Sequence, residues 1–484
     1  MSLTRRGLLF AGAAAAMAQK PNFPAPSEIC RMSAVEMARK LKRKQLSARE
    51  VLEAHLERIE QVNPKVNAIV TLVADRAHED ARRADEEAAK GRFRGPLHGL
   101  PIAHKDLQAT KGIRTTYGSP LYADNVPDKN TELIDRIQKA GAITIGKTNV
   151  PEFGAGSQTF NPVFGATRNP HDLSKTCGGS SGGAAVSLAT HMLPIADGSD
   201  TGGSLRNPAS FCGVVGFRTA PGRVPRTPTG TAWNTLSVVG PMARTAEDTA
   251  LFLSAMAGPD PRIPLSIQEP GSIFARPLDR NFKGVRVGWC SKLFDLPFDR
   301  NVVDVFHAQR KRFEQLGCAV EDAEPDLTDA DEVFKVFRAL GFWQGRHTLA
   351  EKHRDKIKAT VLEEVDRGAA LTGPEIMLAE EKRSALHARV GQFLEKYEYF
   401  ILPTTQVPAF NVDTPYITEI EGQKLASYID WMRSCYYITL TSLPAISVPG
   451  GLTPQGLPVG MQIVGRVQQD FSVLQLAHAF EQTA

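Results

Sequence analysis

The chain has 484 residues, of which 42% are hydrophobic and 23% are charged, as is typical of a globular protein with a large core. Its 57 Lys and Arg residues against 53 Asp and Glu residues leave a net charge of +4, without any block of like charge. This balance argues against a nucleic-acid partner and against a membrane surface. The six cysteines are widely scattered, so neither a zinc site nor a disulfide framework is expected.

The first residues, MSLTRRGLLFAGAAAAMAQK, have the pattern of an export signal. The pair Arg5-Arg6 precedes an apolar run over 7–18 that ends in Ala-Met-Ala, a small-x-small cleavage pattern. We therefore predict a twin-arginine signal at 1–18 and a periplasmic location; the alternative is an Ala-rich tail on a cytoplasmic protein. This run, and every later one, falls short of the ~18 apolar residues of a membrane span.

Helical periodicity dominates the next part of the chain. Apolar residues recur at spacings of three and four over 33–62, and Ser47 with Glu50 forms a capping-box pattern that restarts a second helix. A further helix is predicted over 72–90. These segments form an N-terminal helical extension over about 27–90.

Short apolar runs then alternate with helical patterns. Buried strands are predicted at 99–106, 141–149, 192–200, 284–290, 398–405, 445–451 and 459–465. Helices are predicted at 131–140, 182–191, 245–257, 302–316, 330–355, 374–396, 423–436 and 471–482. This alternation predicts one large α/β domain over 27–484, with a mixed central sheet covered by helices on both faces.

The segment CGGSSGGAAVSLATHMLPIADGSDTGGS, residues 177–204, holds two Gly-Gly-Ser clusters. The first contains G-x-S-x-G, the pattern of the nucleophile elbow in α/β-hydrolases. That elbow requires an apolar strand directly before it, and the preceding NPHDLSKTC is not strand-like. The catalytic histidine of such a triad follows late in the chain, and the candidates His347, His353, His387 and His478 all lie in helical patterns. The one histidine within the segment, His191, also lies in a helical run. A Ser-His-Asp triad is therefore disfavoured.

The second cluster, GSDTGGS, follows a predicted buried strand. Small residues there allow successive backbone N–H groups of Thr201, Gly202, Gly203 and Ser204 to converge on an oxyanion. A serine at the end of such a nest can attack the carbonyl carbon. The alternative is an ordinary glycine-rich turn.

A base for that serine must come from elsewhere in the chain. Lys105 ends the apolar run LPIAHK, and burial lowers the pKa of a lysine from ~10.4 by up to several units. A neutral lysine can take a proton from serine. The alternative is a surface pair of Lys105 with Asp106 at the end of a strand.

Taken together, GLPIAHKD (99–106) and TCGGSSGGAAVSLATHMLPIADGSDTGGSLRNPASFCGVVGFRTAPGRVP (176–225) resemble the amidase signature family. The likeness continues more weakly in KTNVPEFGAGSQTFNPVFGATRNP (147–170) and in LPAISVPGG near the end of the chain. It implies a Ser-Ser-Lys triad with Ser204 as nucleophile, Ser180 as proton relay after a cis peptide bond, and Lys105 as base. It further implies an oxyanion hole at 201–204 and supporting roles for Ser181, Asp200 and Arg206.

The resemblance implies an amidase that hydrolyses a small carboxamide through an acyl-serine, without metal or cofactor. The partner is a small-molecule amide, and the chain acts alone or as a homodimer. Two alternatives stay open: the glutaminase component of a tRNA-dependent amidotransferase, and an esterase or aryl acylamidase of the same fold. Three segments are candidates for the acyl pocket: Gly154–Thr159, Ala339–Thr348 with Trp343 and His347, and Thr404–Ile417.

Overall fold

A computed structural model describes residues 21–226 and 231–483. The predicted export signal at 1–18 lies outside the described residues. Within the described ranges, no helix is both long enough and apolar enough to cross a membrane. The six cysteines are all buried and free of disulfide bonds.

Most strands of the molecule belong to two sheets, and the rest form two short hairpins. The strands are β1 Ile69–Leu72, β2 Pro101–Lys105, β3 Ile143–Thr148, β4 Phe160–Asn161, β5 Gly165–Ala166, β6 Ile195–Asp200, β7 Val215–Arg218, β8 Val238–Ala243, β9 Arg286–Trp289, β10 Ala319–Asp322, β11 Tyr399–Pro403, β12 Glu419–Ile420, β13 Gln423–Lys424, β14 Ala445–Leu452 and β15 Pro458–Gly465. The larger sheet has the order β10-β9-β11-β15-β14-β7-β8-β6, and the smaller one β1-β3-β2. Both sheets mix parallel and antiparallel pairs.

The helices flank these sheets. They are α1 Glu28–Arg31, α2 Ala34–Lys42, α3 Ala48–Val66, α4 Ala74–Ala89, α5 Glu132–Lys139, α6 Gly182–Ala189, α7 Arg206–Cys212, α8 Ala246–Met256, α9 Arg300–Ala308, α10 Arg310–Gln315, α11 Ala330–His353, α12 Ala359–Ala370, α13 Gly373–Lys396, α14 Arg433–Leu440 and α15 Asp470–Glu481. Every residue of β3, β11 and β15 is buried, which requires cover on both faces of each strand. The predicted α/β class with a mixed sheet is confirmed.

The two sheets meet at a seam between β2 and β6. The Asp197 carboxylate on β6 accepts a hydrogen bond from the Lys105 backbone N–H on β2, at 3.2 Å. Its other oxygen lies 2.6 Å from His104 Nδ1. All three side chains are buried, so a buried carboxylate joins β2 to β6 at this point. The seam fixes Lys105 relative to the strand that leads to the second glycine cluster.

All seven predicted strands are present, and the structure adds strands that the sequence did not indicate. β8 carries Pro241 and a glycine, which weaken a strand pattern, yet it pairs with both β6 and β7. β10 lies at the edge of its sheet, and both its ends are exposed. β1 inserts a strand between helices of the N-terminal extension, so that region also contributes to the smaller sheet.

The predicted helix boundaries hold in most places. Ser47 and Glu50 form the expected capping box at the start of α3. The helix predicted over 423–436 is wrong at its start, because β13 and a turn occupy 423–429 and α14 begins only at Arg433. The Asp430 carboxylate accepts hydrogen bonds from the N–H groups of Ala426 and Ser427, which stabilises that turn.

Candidate active site

Lys105 is the last residue of β2 and is completely buried. Its Nζ lies within hydrogen-bond distance of three serine hydroxyls, those of Ser181 at 2.7 Å, Ser180 at 2.9 Å and Ser199 at 3.0 Å. The Ser199 carbonyl oxygen lies 3.4 Å away. These contacts exclude a surface pair with Asp106, whose carboxylate instead binds Thr116.

Burial lowers the pKa of Lys105 to about 7, because the charged amine loses its hydration. The Asp200 and Asp197 carboxylates oppose this shift, and the Arg226 guanidinium adds to it. A large fraction of Lys105 is therefore neutral at physiological pH. A neutral amine carries a lone pair that can accept a proton.

The first glycine cluster forms a tight turn directly before α6. The peptide bond between Gly179 and Ser180 is cis. A side chain at Gly182 would collide with Thr159 Oγ1 and Cys177 Sγ, so only glycine fits there. Residues 167–181 are all described and contain no strand, which agrees with the rejection of a nucleophile elbow.

His191 takes no part in this site. Its Nδ1 lies 3.2 Å from the carbonyl oxygen of Cys30 in α1. Burial lowers the pKa of His191 to about 4, with the Arg244 charge adding to the shift. The histidine is therefore neutral and belongs to the contact between α6 and the N-terminal helices.

Asp200 organises the second glycine cluster. Its carboxylate accepts hydrogen bonds from the backbone N–H groups of Gly203 at 2.9 Å and Leu205 at 3.2 Å. The same carboxylate binds the buried guanidiniums of Arg206 at 3.0 Å and Arg218 at 3.2 Å. Burial alone would raise the pKa of Asp200, but the two arginines bring it below its ordinary value. Asp200 is therefore a charged, fully bonded anchor for this turn.

Two glycines of this turn have no room for a side chain. A Cβ on Gly202 would lie 2.9 Å from the Phe334 ring. A Cβ on Gly203 would lie 2.5 Å from Cys435 Cβ, and its φ of +119° also favours glycine. The Gly203 N–H points to Asp200, so in this structure it is already engaged. Of the four predicted oxyanion donors, the N–H groups of Thr201, Gly202 and Ser204 therefore remain as candidates.

Ser204 faces the same cavity as Ser180. The Ser181 N–H donates to the Ser204 carbonyl oxygen at 3.2 Å, which ties the two glycine turns together. Ser180, Ser199, Thr201, Gly202 and Ser204 all line a cavity of about 610 Å³. We call this set the serine wall.

A face of α11 lines the same cavity, and we call it the helix wall. Its members recur every three or four residues: Phe334, Phe337, Arg338, Gly341, Phe342, Gly345, Arg346 and Leu349. A small hydrophobic cluster of Ala155, Phe342, Ala350, Ile357, Val361 and Val365 holds α11 against α12 and the loop at 155. The helical periodicity of 330–355 was visible in the sequence, but not which face meets the serines.

Two of the three candidate pocket segments contribute residues to the cavity, and the third does not. Gly154, Gly156 and Ser157 line the cavity, as do several residues of 339–348. Trp343 and His347 do not, since their rings stack on each other outside it. The segment 404–417 also stays outside, although the carbonyl oxygens of Thr414 and Pro415 accept hydrogen bonds from Gln158.

Sequence reasoning missed Ser199, whose hydroxyl binds Lys105. It stands in GSDTGGS next to Asp200, so its place in the motif was a usable signal. Among residues 21–226 and 231–483, no group of three or more His, Cys, Asp and Glu side chains is placed to hold a metal ion.

Comparison with known proteins identifies the family of this chain. The family model described as Amidase matches residues 50–474. The chain belongs to the amidase family. It is a hydrolase that acts on carbon–nitrogen amide bonds.

Individual relatives of this amidase extend over nearly the whole chain. It is 35% identical to an acylamidase of Rhodococcus erythropolis, over 93% of this chain and 95% of that protein. It is 34% identical to the A component of the glutamyl-tRNA(Gln) amidotransferase of Synechococcus sp. (strain CC9605), over 91% and 94% of the two chains. A solved bacterial aryl acylamidase of the amidase signature family superposes with a TM-score of 0.88 and 28% identity, over 95% of this chain and 97% of that one.

Proposed function

We propose that this amidase hydrolyses a small carboxamide through an acyl-serine intermediate, with Ser204 as the nucleophile. The observation that supports this most directly is the 2.9 Å contact between Lys105 Nζ and Ser180 Oγ in a buried site. A neutral lysine held against a serine hydroxyl can accept its proton. Ser180 and Ser204 line the same cavity, and we propose that Ser180 in turn accepts the proton of Ser204.

In the first half of the reaction, Ser204 Oγ attacks the amide carbon while its proton passes to Ser180 and the Ser180 proton passes to Lys105. The carbonyl oxygen becomes an oxyanion, which the N–H groups of Thr201, Gly202 and Ser204 stabilise. The tetrahedral intermediate then collapses. Its C–N bond breaks, and the nitrogen takes a proton back through Ser180, so that ammonia or an amine leaves.

In the second half, water attacks the Ser204 ester. One of its protons moves through Ser180 to Lys105 and then returns to Ser204 Oγ as the carboxylic acid leaves, and the acid then ionises in solution. Ser181 and Ser199 hold Lys105 Nζ in place, and Asp200 with Arg206 holds the turn that carries Ser204. At the end of the cycle Ser204, Ser180 and Lys105 are back in their starting protonation states, and the net reaction is hydrolysis of the amide by one water.

The test is a panel of aliphatic, aryl and acyl-amine amides with matched esters, assayed with the full chain. The wild type is expected to release ammonia or an amine from at least one amide. Lys105→Ala and Ser180→Ala are each expected to reduce kcat/KM by at least about a thousandfold, since removal of a triad member has effects of that size. Full activity of Lys105→Ala would contradict the proposed base.

The glutaminase alternative is supported by the 34% identity to a component of an amidotransferase. It predicts that glutamine is hydrolysed well only when the other components of such a complex are added. Hydrolysis of simple amides by the chain alone favours the free-standing amidase. An esterase is distinguished by the ratio of ester to amide turnover in the same panel.

We also propose export through the twin-arginine route, on the strength of Arg5-Arg6 and the apolar run at 7–18. Cell fractionation tests it, with Arg5→Lys/Arg6→Lys as the matched variant. The wild type is expected in the periplasm and the variant in the cytoplasm. Equal distribution of the two would refute this signal.

A further inference from the structure

Three arginines line the active-site cavity: Arg226, Arg338 and Arg346. Among the described residues, Arg338 is the one of the three with an acidic partner, because its Nε lies 3.4 Å from Glu364 Oε1. Its guanidinium also donates to the Tyr428 hydroxyl. The charge of Arg338 is therefore compensated within the protein.

The charge of Arg346 is not compensated in this way. Within the part of the chain that the structure describes, no carboxylate lies at ion-pairing distance from it. Its Nη2 donates to the Phe153 carbonyl oxygen at 3.1 Å, while its Nε is buried without a hydrogen-bond partner among those residues. The guanidinium lies over the rings of Phe153 and Phe342, at 5.2 and 4.9 Å. Burying an unpaired polar group of this kind is costly unless a ligand satisfies it.

The charged groups that act on Arg346 are two arginines and one carboxylate. Glu152 is the acidic group that acts on it, but the Glu152 carboxylate already accepts hydrogen bonds from Ser119 Oγ at 2.7 Å and from the Lys358 N–H at 2.9 Å. Burial, and then the charges of Arg338 and Arg226, lower the pKa of Arg346 to about 10. The guanidinium therefore stays cationic at neutral pH.

This cationic group lies close to the reacting serines. Phe153, which binds Arg346, directly precedes Gly154. A Cβ on Gly154 would be 3.5 Å from Ser180 Oγ. Arg226 lines the same cavity as these serines and Arg346. One small molecule can therefore reach both the serines and the arginines.

We propose that the substrate of this amidase carries a carboxylate in addition to its amide, and that Arg346 and Arg226 bind this carboxylate. The inference rests on the proposed acyl-serine chemistry, since it assumes that the scissile carbonyl lies at Ser204. A guanidinium pairs with a carboxylate through two parallel hydrogen bonds, and this would satisfy the open Nε of Arg346. The aromatic rings of Phe153 and Phe342 would enclose the aliphatic part beside it.

Binding of adipate tests the inference without any need for turnover. Calorimetry is carried out with adipate and with neutral hexanamide, which has the same chain length. The wild type is expected to bind adipate at least about tenfold more tightly, and Arg346→Met to lose at least about tenfold of that affinity, as for other desolvated charge pairs. Arg346→Lys retains the positive charge but cannot form two parallel hydrogen bonds, so its affinity for adipate is expected to lie between those of the wild type and Arg346→Met.

The control variant is Arg354→Met. Arg354 is an exposed arginine just beyond α11 that pairs with Asp366, so its replacement should leave adipate binding unchanged. If Arg346→Met does not fold, as judged by circular dichroism, Arg226→Met provides the same readout. Adipate that binds no more tightly than hexanamide overturns the inference. So does an Arg346→Met variant with wild-type affinity.

Turnover separates this inference from the proposed function. The monoamide of adipic acid carries its carboxylate on the acyl side of the amide, and hexanamide is its neutral counterpart. N-hexanoylglycine carries its carboxylate on the amine side, and N-isobutylhexanamide is its neutral counterpart. A higher kcat/KM for one charged amide than for its counterpart supports the inference and identifies the side. Hydrolysis without any such preference overturns it and leaves the amidase function intact. Failure to hydrolyse any amide contradicts the proposed function, while adipate binding still decides the inference.

Discussion

The two walls of the cavity differ in how completely their polar groups are bonded. Behind the serine wall, the Asp200 carboxylate accepts hydrogen bonds from two backbone N–H groups and two arginines. Lys105 Nζ contacts three serine hydroxyls there. On the helix wall, Arg346 keeps a buried Nε without a partner among the described residues. The difference suggests that one wall holds the reacting groups rigidly, and the other leaves its polar groups to be satisfied by the substrate.

Removal of the proposed nucleophile is expected to have the largest effect of any change on the serine wall. Ser204→Ala is expected to reduce kcat by about 10⁵- to 10⁶-fold, as when a serine nucleophile is removed from other hydrolases. A fluorophosphonate probe, followed by peptide mass spectrometry, should label Ser204 in the wild type. Ser181→Ala should remain labelled and lose less activity. Labelling at Ser181 instead of Ser204 would reverse the assignment.

A smaller change on the same wall is Gly203→Ala. The new Cβ would meet Cys435 in a backbone conformation that disfavours alanine, so the oxyanion turn must shift. We expect kcat to fall by about 10²- to 10³-fold, the usual loss for a misplaced oxyanion donor. Gly284→Ala is the matched control, with a φ of +78° and open space around it, and should keep its kcat. Equal losses in both variants would mean that backbone strain alone explains the effect.

The buried ion pairs behind the serine wall should govern stability. Arg206→Met leaves the Asp200 carboxylate buried with one partner fewer, so the free energy of unfolding is expected to fall by about 3 kcal/mol. Urea denaturation measures it. Arg286→Met breaks an exposed pair with Glu321 and should cost less than about 1 kcal/mol. A loss for Arg206→Met no larger than for Arg286→Met would show that Asp200 does not need both arginines.

The smallest expected effect is the pH dependence of the base. Lys105 must be neutral to accept a proton, and burial lowers its pKa to about 7. We therefore expect kcat/KM to fall about tenfold per pH unit below pH 7 and to level off above it. Lys147→Met is the control, since this second buried lysine binds Gln108 O and Thr110 Oγ1, away from the serines, and should not alter the profile. A flat profile from pH 5 to 9 would exclude Lys105 as the titrating base.

Local patterns predicted much of this molecule and missed what depends on distant contacts. The seven predicted strands are continuous apolar runs, and the two glycine clusters with Lys105 were visible as motifs. The strand β8 was missed because its pairing with β6 and β7 outweighs Pro241. The hydrogen bond from the Gly203 N–H to Asp200 was missed for a similar reason, since the residue types of a turn do not show which way its side chains point.

The arginines of the helix wall show the same limit. Arg338 and Arg346 lie on the same face of α11, but the sequence pattern did not indicate that this face turns toward the serines. That orientation depends on how α11 packs against its neighbours, among them α12 and the loop near residue 155. The pairing of Arg338 with Glu364 on α12, and the lack of such a partner for Arg346 among the described residues, likewise depend on contacts between helices.

The seam between the sheets also bears on how the enzyme assembles. Lys105 comes from the smaller sheet and Ser204 follows the edge strand of the larger one, and the Asp197 carboxylate joins them. Each sheet could complete its own hydrogen-bond ladder before the other exists, yet neither alone would place an amine against a serine hydroxyl. The rate at which activity recovers during refolding would therefore report the docking of the two sheets, rather than the formation of secondary structure within either sheet.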